Sequence, residues 1–247
     1  MSVQQYDLIG EAFEGFKALP LTRYGEVPSV LGLVGDVRGR SVLDLACGTG
    51  FYSRELRRRG AADVLGVDIS TEMVAAARSF EERDPLGVRY EVGDVAELRE
   101  LERKFDVALA VQCLNYAEDR AALDRMCRTI HRSLLPGGEL VVFAQKPDYA
   151  FDCLTLEQYG FRCEPTGEQG EIGPRVRVTA LLDPRPISIL GTVPRREVYE
   201  EALRAAGFTG LEWVPLRISE EGLREYGEEF WADVLAHPPL EMLRCRA

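Results

Sequence analysis

Apolar residues along this chain gather in two rhythms, and the way these alternate predicts an architecture. Short apolar runs, the mark of strands buried on both faces, fall at 42–45, 64–67, 88–92, 105–111 and 139–143. Between them, apolar residues recur at three- and four-residue steps, which predicts helices over 51–59, 69–80 and 121–134. Ser70 stands where an N-cap hydroxyl would open the second of these, with Glu72 in its first turn. Strand and helix in alternation imply a mostly parallel sheet with right-handed crossovers and helices on both faces.

The flanks read differently. Over 4–19, Leu8, Ala12, Phe13, Phe16 and Leu19 keep helical spacing. Pro20 ends that helix, and a second is expected over 27–34 with Pro28 in its first turn. Beyond the fifth strand, residues 175–182 alternate, Asp183-Pro184-Arg185-Pro186 turns the chain, and 187–193 returns as the partner of an antiparallel hairpin. A helix over 196–206 ends at Gly207, and strands at 211–218 and 240–246 enclose a helix over 220–236. The expected fold is α/β, a Rossmann-like doubly wound sheet of seven strands with the last one antiparallel. Within one domain we delimit a helical cap (1–36), a core (37–145), a β-rich lid insertion (146–194) and the completion of the sheet (195–247).

Composition narrows the partners. The 247 residues are 46% hydrophobic, enough for a sizeable core, and the net charge of −11 disfavours nucleic acid and anionic membranes. Lysine occurs only at Lys17, Lys104 and Lys146, an arginine-for-lysine skew that fits GC-rich bacterial coding. The six cysteines show neither a CxxC pair nor zinc-ligand spacing, so reduced thiols and no metal site are expected. The first residues lack the basic and apolar regions of a signal peptide, and no window approaches eighteen apolar residues. A cytoplasmic protein, monomer or homodimer, is the resulting expectation.

Candidate chemistry collects at the carboxyl ends of the expected strands. Asp44-Leu45-Ala46-Cys47-Gly48-Thr49-Gly50 is a glycine-bracketed turn between strand and helix, where a backbone and the helix's free N–H groups can approach a ligand. A G-x-G turn alone is shared by many nucleotide binders. Here Ser53 stands at the third position in place of glycine or alanine, and Asp44 brings in a carboxylate. That charge would repel a diphosphate but could hold an ammonium, or else cap the loop's own amides. Asp68 ends the second strand eighteen positions after Gly50, where doubly wound folds grip ribose hydroxyls. An unpaired carboxylate at a buried strand end is costly, so Asp68 has no ready structural reading. Asp94 follows Gly93 at the end of the third strand, as a ligand or an ordinary turn aspartate.

In this order the features resemble the class I S-adenosylmethionine-dependent methyltransferases, closely over about 38–143 and in outline elsewhere. The resemblance implies S-adenosyl-L-methionine as cofactor, with Asp44, Ala46, Gly48 and Gly50 forming its loop and Asp68 on the ribose. Ile69 and Met73 would flank the adenine, Asp94 and the Val95 amide would meet its edge, and Gln112 would lie near the methionine end. Tyr6, which resembles the start of the family's N-terminal cap, joins Tyr24, Asn115 and Tyr149 as acceptor-site candidates, although Tyr6, Phe13 and Phe16 also fit a buried helix face.

The family's reaction is an in-line displacement at a sulfonium methyl, in which positioning supplies much of the rate. An amine needs no general base, whereas an alcohol or phenol usually does. His131 falls on an outer helix and His237 in a loop, so no base is assigned. Val178, Ala180, Leu182, Ile187 and Ile189 of the hairpin are apolar enough to cover a pocket, with Tyr149, Phe151, Tyr159 and Phe161 as flat contacts. A dimerising β-extension is the other reading of that segment. The implied function is methyl transfer to a nitrogen or oxygen of a small molecule, such as a bacterial secondary metabolite. The alternatives are an NAD(P)-dependent oxidoreductase on a similar fold and a non-catalytic S-adenosylmethionine-binding protein.

Overall fold

A computed structural model of the chain describes residues 10–99, 101–151 and 155–247. Seven strands form the main sheet: β1 (Ser41–Leu45), β2 (Asp63–Asp68), β3 (Arg89–Val92), β4 (Phe105–Val111), β5 (Leu134–Gln145), β9 (Thr209–Pro215) and β10 (Leu240–Arg246). Their spatial order is β3-β2-β1-β4-β5-β10-β9, with β1 through β5 parallel and β10 antiparallel to both its neighbours. The order reverses direction at β1, between β2 and β4, and ligands of open α/β sheets lie outside the carboxyl ends of the strands at such a point.

Side chains that alternate along these strands feed two cores, which is why the runs read as continuously apolar. Val42, Val64, Val107 and Val141 face helices α1 (Val27–Val34), α2 (Phe51–Arg58) and α3 (Thr71–Arg83) through Val30, Leu56 and Val74. Leu43, Leu65, Ala108 and Leu140 face α4 (Arg120–Ser133) and α5 (Arg196–Ala206) through Leu123, Ile130, Tyr199 and Leu203. Ser70 caps α3 as expected, its hydroxyl accepting from the Met73 amide at 3.2 Å. Gly207 ends α5 in the left-handed region with φ 108°. Among the described residues no helix is long and apolar enough to cross a membrane.

Three segments differ from expectation. The first helix is a 3-10 helix over Gly10–Ala18, and the part of the expected 4–19 span before Gly10, Tyr6 included, lies outside the described residues. Pro20 ends it but also opens the next helical stretch, which passes through a π turn at Thr22–Glu26 into α1. The expected 220–236 helix is two, α6 (Glu220–Tyr226) and α7 (Glu228–Ala236), divided at Gly227 with φ 81°. The hairpin is part of a three-stranded antiparallel sheet of β6 (Phe161–Gln169), β7 (Pro174–Ala180) and β8 (Ile187–Thr192), in that order. Six consecutive residues of β6, Glu164 to Gln169, are exposed, so that strand carries almost no apolar rhythm to read.

Candidate functional site

The turn after β1 is built against its own protein. Ala46, Gly48 and Gly50 have φ of 55°, 55° and 81°, a left-handed excursion that swings the chain from strand to α2. A Cβ on Gly50 would stand 2.7 Å from the Tyr90 ring, so this glycine is required by left-handed backbone and by Tyr90 beneath it.

Asp68, which had no ready structural reading in the sequence, has structural partners. The Gly48 amide donates to Oδ2 at 2.8 Å and the Ser70 amide to Oδ1 at 2.9 Å, tying the glycine turn to the start of α3. Asp44 is 1% exposed and accepts from the Ser53 hydroxyl at 2.6 Å, which accounts for a serine at the third position of the motif. Burial, with Asp68 nearby, pushes the Asp44 carboxyl up to about 7 against the opposing pull of Ser53 and Lys17. Asp94 accepts from the Ala96 amide at 2.8 Å, a turn aspartate standing on the cavity wall. Ile69 is 42% exposed on that wall, whereas Met73 and Val95 line it from buried positions.

A second group of residues, not singled out from the sequence, straps the N-terminal segment over this turn. Glu14 accepts from the Thr49 hydroxyl at 2.6 Å and from Arg54 at 2.9 Å, while Lys17 donates to Glu26 at 2.6 Å. The Tyr52 hydroxyl also donates to Glu26, at 2.8 Å, and the Lys17 ammonium lies 4.4 Å from the Tyr52 ring centroid. The available signal was the i, i+3 spacing of Glu14 and Lys17, which puts both on one helix face.

All of this surrounds a cavity of about 440 Å³ at the carboxyl ends of β1, β2, β4 and β5. Asp44, Asp68, Asp94, Glu26 and Glu118 line it against the cations Lys17 and Arg125, so its charge suits a cationic ligand and opposes a diphosphate. Of the acceptor candidates, Asn115 and Tyr149 line it. Tyr24 does not: it is 2% exposed, donates to Glu225 and packs edge-on against Trp231 and Tyr226. Its position after Pro20 gave no clue that the π turn rotates it away. Phe161, Val178 and Ile189 of the three-stranded sheet also line the cavity, with Phe151 alongside. Tyr159 instead stacks on Trp231 at 5.5 Å in the core. His131 packs on Phe208 and His237 is exposed, and neither lines the cavity.

Three carboxamides on the wall are unusual. Gln112 follows β4 with φ 50° and its amide donates to the Phe143 carbonyl at 2.7 Å, so backbone strain and a strand bond fix its direction. Gln145 ends β5, and Asn115, 3% exposed, sits in the 3-10 turn Leu114–Tyr116 after β4. The side-chain oxygen of each is buried without a hydrogen-bond partner among the described residues. Leaving a buried acceptor unmet costs roughly 1–3 kcal/mol, so three in one cavity is an expensive arrangement. Gln145 was missed from the sequence because a glutamine at a strand end has no motif around it.

Comparison with known proteins bears on this geometry. Residues 42–138 match the family described as the methyltransferase domain. A ubiquinone biosynthesis O-methyltransferase of Coxiella burnetii is 30% identical over 133 residues, which are 53% of this chain and 55% of that protein. The match thus spans about half the length of that relative. An S-adenosylmethionine-dependent methyltransferase from Mesorhizobium loti superposes with a TM-score of 0.65 at 21% identity, covering 94% of this chain and all of its own. The [4+2]-cyclase SpnF also shares the fold, with a TM-score of 0.57 at 24% identity over 90% of this chain and 79% of its own. The matched methyltransferase domain thus lies on this strand order and this turn, and the fold is that of S-adenosylmethionine-dependent methyltransferases.

Proposed function

We propose that the protein transfers a methyl group from S-adenosylmethionine to a nitrogen or oxygen of a small molecule, a class that includes bacterial secondary metabolites. One observation carries the reading: an acid-lined cavity at the topological switch point is continuous with an apolar chamber walled by the three-stranded sheet. Asp68 and Asp94 take the ribose and adenine sides, Ile69, Met73 and Val95 supply the apolar contacts, and Asp44 with the Ala46-to-Gly50 turn takes the ammonium end. Gln112 stands toward the reacting methyl. Bound there, the cofactor supplies an electrophilic methyl on a sulfonium whose leaving group departs uncharged.

The chain's own contribution is position and dryness. Phe161, Val178 and Ile189 close the chamber as a lid, and apolar walls exclude the water that would compete for the methyl. A small acceptor is favoured over protein or nucleic acid by the net charge of −11 and by the enclosed chamber.

Calorimetry with S-adenosylmethionine and with NAD tests the cofactor, and the acid lining predicts heat with the first alone. Incubation with methyl-labelled S-adenosylmethionine and a cell extract tests the reaction, with label expected in a small metabolite. Tight cofactor binding with no label transferred would favour a non-catalytic binder.

A further inference from the structure

We infer that Gln112, Asn115 and Gln145 form a neutral carboxamide cradle for the acceptor's amino group, making this an N-methyltransferase for a small amine. The inference rests on the methyl-transfer reading above and specifies its acceptor atom.

The three side chains reach the cavity from separate elements. β4 and β5 are paired with Val111 opposite Phe143, so Gln112, one residue past that pair, and Gln145, two past it, leave adjacent strand ends onto the cavity wall. Asn115 comes from the turn after β4 and meets the lid, where a Cβ on Gly191 would lie 3.2 Å from its Nδ2. All three line the cavity, and Asn115 stands against β8 of the three-stranded sheet. None makes a side-chain hydrogen bond among the described residues, and each oxygen is buried. A half-turn about the terminal torsion exchanges oxygen and NH2 at little steric cost, so each can turn an acceptor toward a ligand N–H.

Amide oxygens suit an amine for a chemical reason. They accept N–H bonds, which leaves the nitrogen lone pair to point at the methyl carbon, and they cannot take a proton at neutral pH. As attack proceeds, a C–N bond forms, the C–S bond breaks with its electron pair staying on sulfur, and positive charge grows on nitrogen. Each N–H···O=C bond strengthens as that charge develops, so the cradle favours the transition state over the bound amine. The proton leaves the methylated ammonium afterwards, to solvent. An alcohol or phenol would need a proton acceptor beside its oxygen. The cavity's carboxylates are committed elsewhere: Asp44 to Ser53, Asp68 to the Gly48 and Ser70 amides, Asp94 to Ala96, and Glu26 to Lys17 and Tyr52. Glu118 is exposed, and both histidines lie outside the cavity.

The test uses S-adenosylmethionine carrying a CD3 group, the full chain and a metabolite extract, with fragmentation locating CD3 in the product. Label on nitrogen is expected, and label on oxygen or carbon overturns the proposal. No labelled metabolite with cofactor binding intact overturns the methyl-transfer reading and this proposal with it. Absent cofactor binding, seen separately by calorimetry, overturns the methyl-transfer reading at its first step and this proposal with it.

Asn115→Leu and Gln145→Leu then separate positioning from packing. For unmet polar groups kept for a ligand, each substitution should raise the melting temperature of the ligand-free protein by about 2–4 °C. It should also cut kcat roughly tenfold or more and leave cofactor affinity within about threefold. Asn115→Asp, which keeps an acceptor oxygen, should retain more turnover than Asn115→Leu. A fall in melting temperature with unchanged kcat in both leucine variants would assign the carboxamides to structure and overturn the cradle.

Discussion

The two ends of the cavity are built on opposite principles. At the loop end every acid has a partner within the chain, so Asp44, Asp68 and Asp94 are held in place before any ligand arrives. Toward the lid the oxygens of Gln112, Asn115 and Gln145 have no hydrogen-bond partner among the described residues, and Phe161, Val178 and Ile189 make the wall apolar. The first arrangement suits a ligand that is always the same. The second stores a binding demand that only the right acceptor meets, and it pays for specificity with stability. Cofactor recognition should therefore be robust to changes at the lid, and turnover should be sensitive to them.

The largest test of that asymmetry is a charge on the lid. Ile189→Asp or Val178→Asp places a carboxylate in the apolar wall. Turnover should fall by roughly a hundredfold or more, because small displacements of an acceptor cost that much. Cofactor affinity by calorimetry should stay within about threefold, and a parallel loss of both would erase the distinction between the two ends.

Asp68→Ala attacks the other end. Each charge-assisted bond is worth roughly 1.5–3 kcal/mol, so at least a tenfold loss of cofactor affinity is expected. Because the Gly48 and Ser70 amides also lose their acceptor, the melting temperature should drop as well. Unchanged affinity for S-adenosylmethionine would remove Asp68 from the ribose.

A smaller effect follows from Asp44. Its carboxyl is pushed up to about 7 from an ordinary value of 3.8. A bound cation favours the ionised form and lowers that value, so binding below pH 7 releases a proton. Affinity should weaken as pH falls beneath 7, by at most about tenfold per unit. In the ligand-free protein the raised value means that stability is full below the ordinary value and is lost as pH rises from about 4 through 7. Asp44→Asn should flatten both slopes, as seen by calorimetry in two buffers of different protonation heat and by melting curves.

The smallest effect is expected at the strap. Glu14→Gln removes the ionic half of the Arg54 contact but can still accept from Thr49, so the loss of stability should be about 1 kcal/mol or less by thermal melting.

How much of this was legible depended on where the information lies. The buried parallel strands and their capped helices write themselves in local pattern, and β4 and β10 fall on the expected residues. So did the turn glycines and the acids at strand tips, because backbone geometry there demands particular residue types. What escaped was set by tertiary contact. Tyr24 looked like an acceptor residue until a π turn aimed it at Trp231, and β6 is too exposed to carry a rhythm. Gln145 gains its meaning only from the neighbours it lacks. Asp68 was legible as an acid at a strand tip, where it lines the cavity, but not as a structural tie, since its amide partners come from two separate turns.

The π turn at Thr22–Glu26 has a consequence for changes in chain length. It carries about one residue per turn more than an α-helix would, and within it Thr22 and Glu26 face the cavity while Tyr24, between them, enters the aromatic core. Removing a single residue there would rotate everything upstream by about 100° relative to α1. Lys17 would swing off Glu26, and Glu14 off Thr49, although no side chain had been altered. A one-residue deletion in this stretch would therefore unhook the whole strap. The turn at 183–186, between β7 and β8, is under no such constraint, because Asp183, Pro184, Arg185 and Pro186 do not line the cavity.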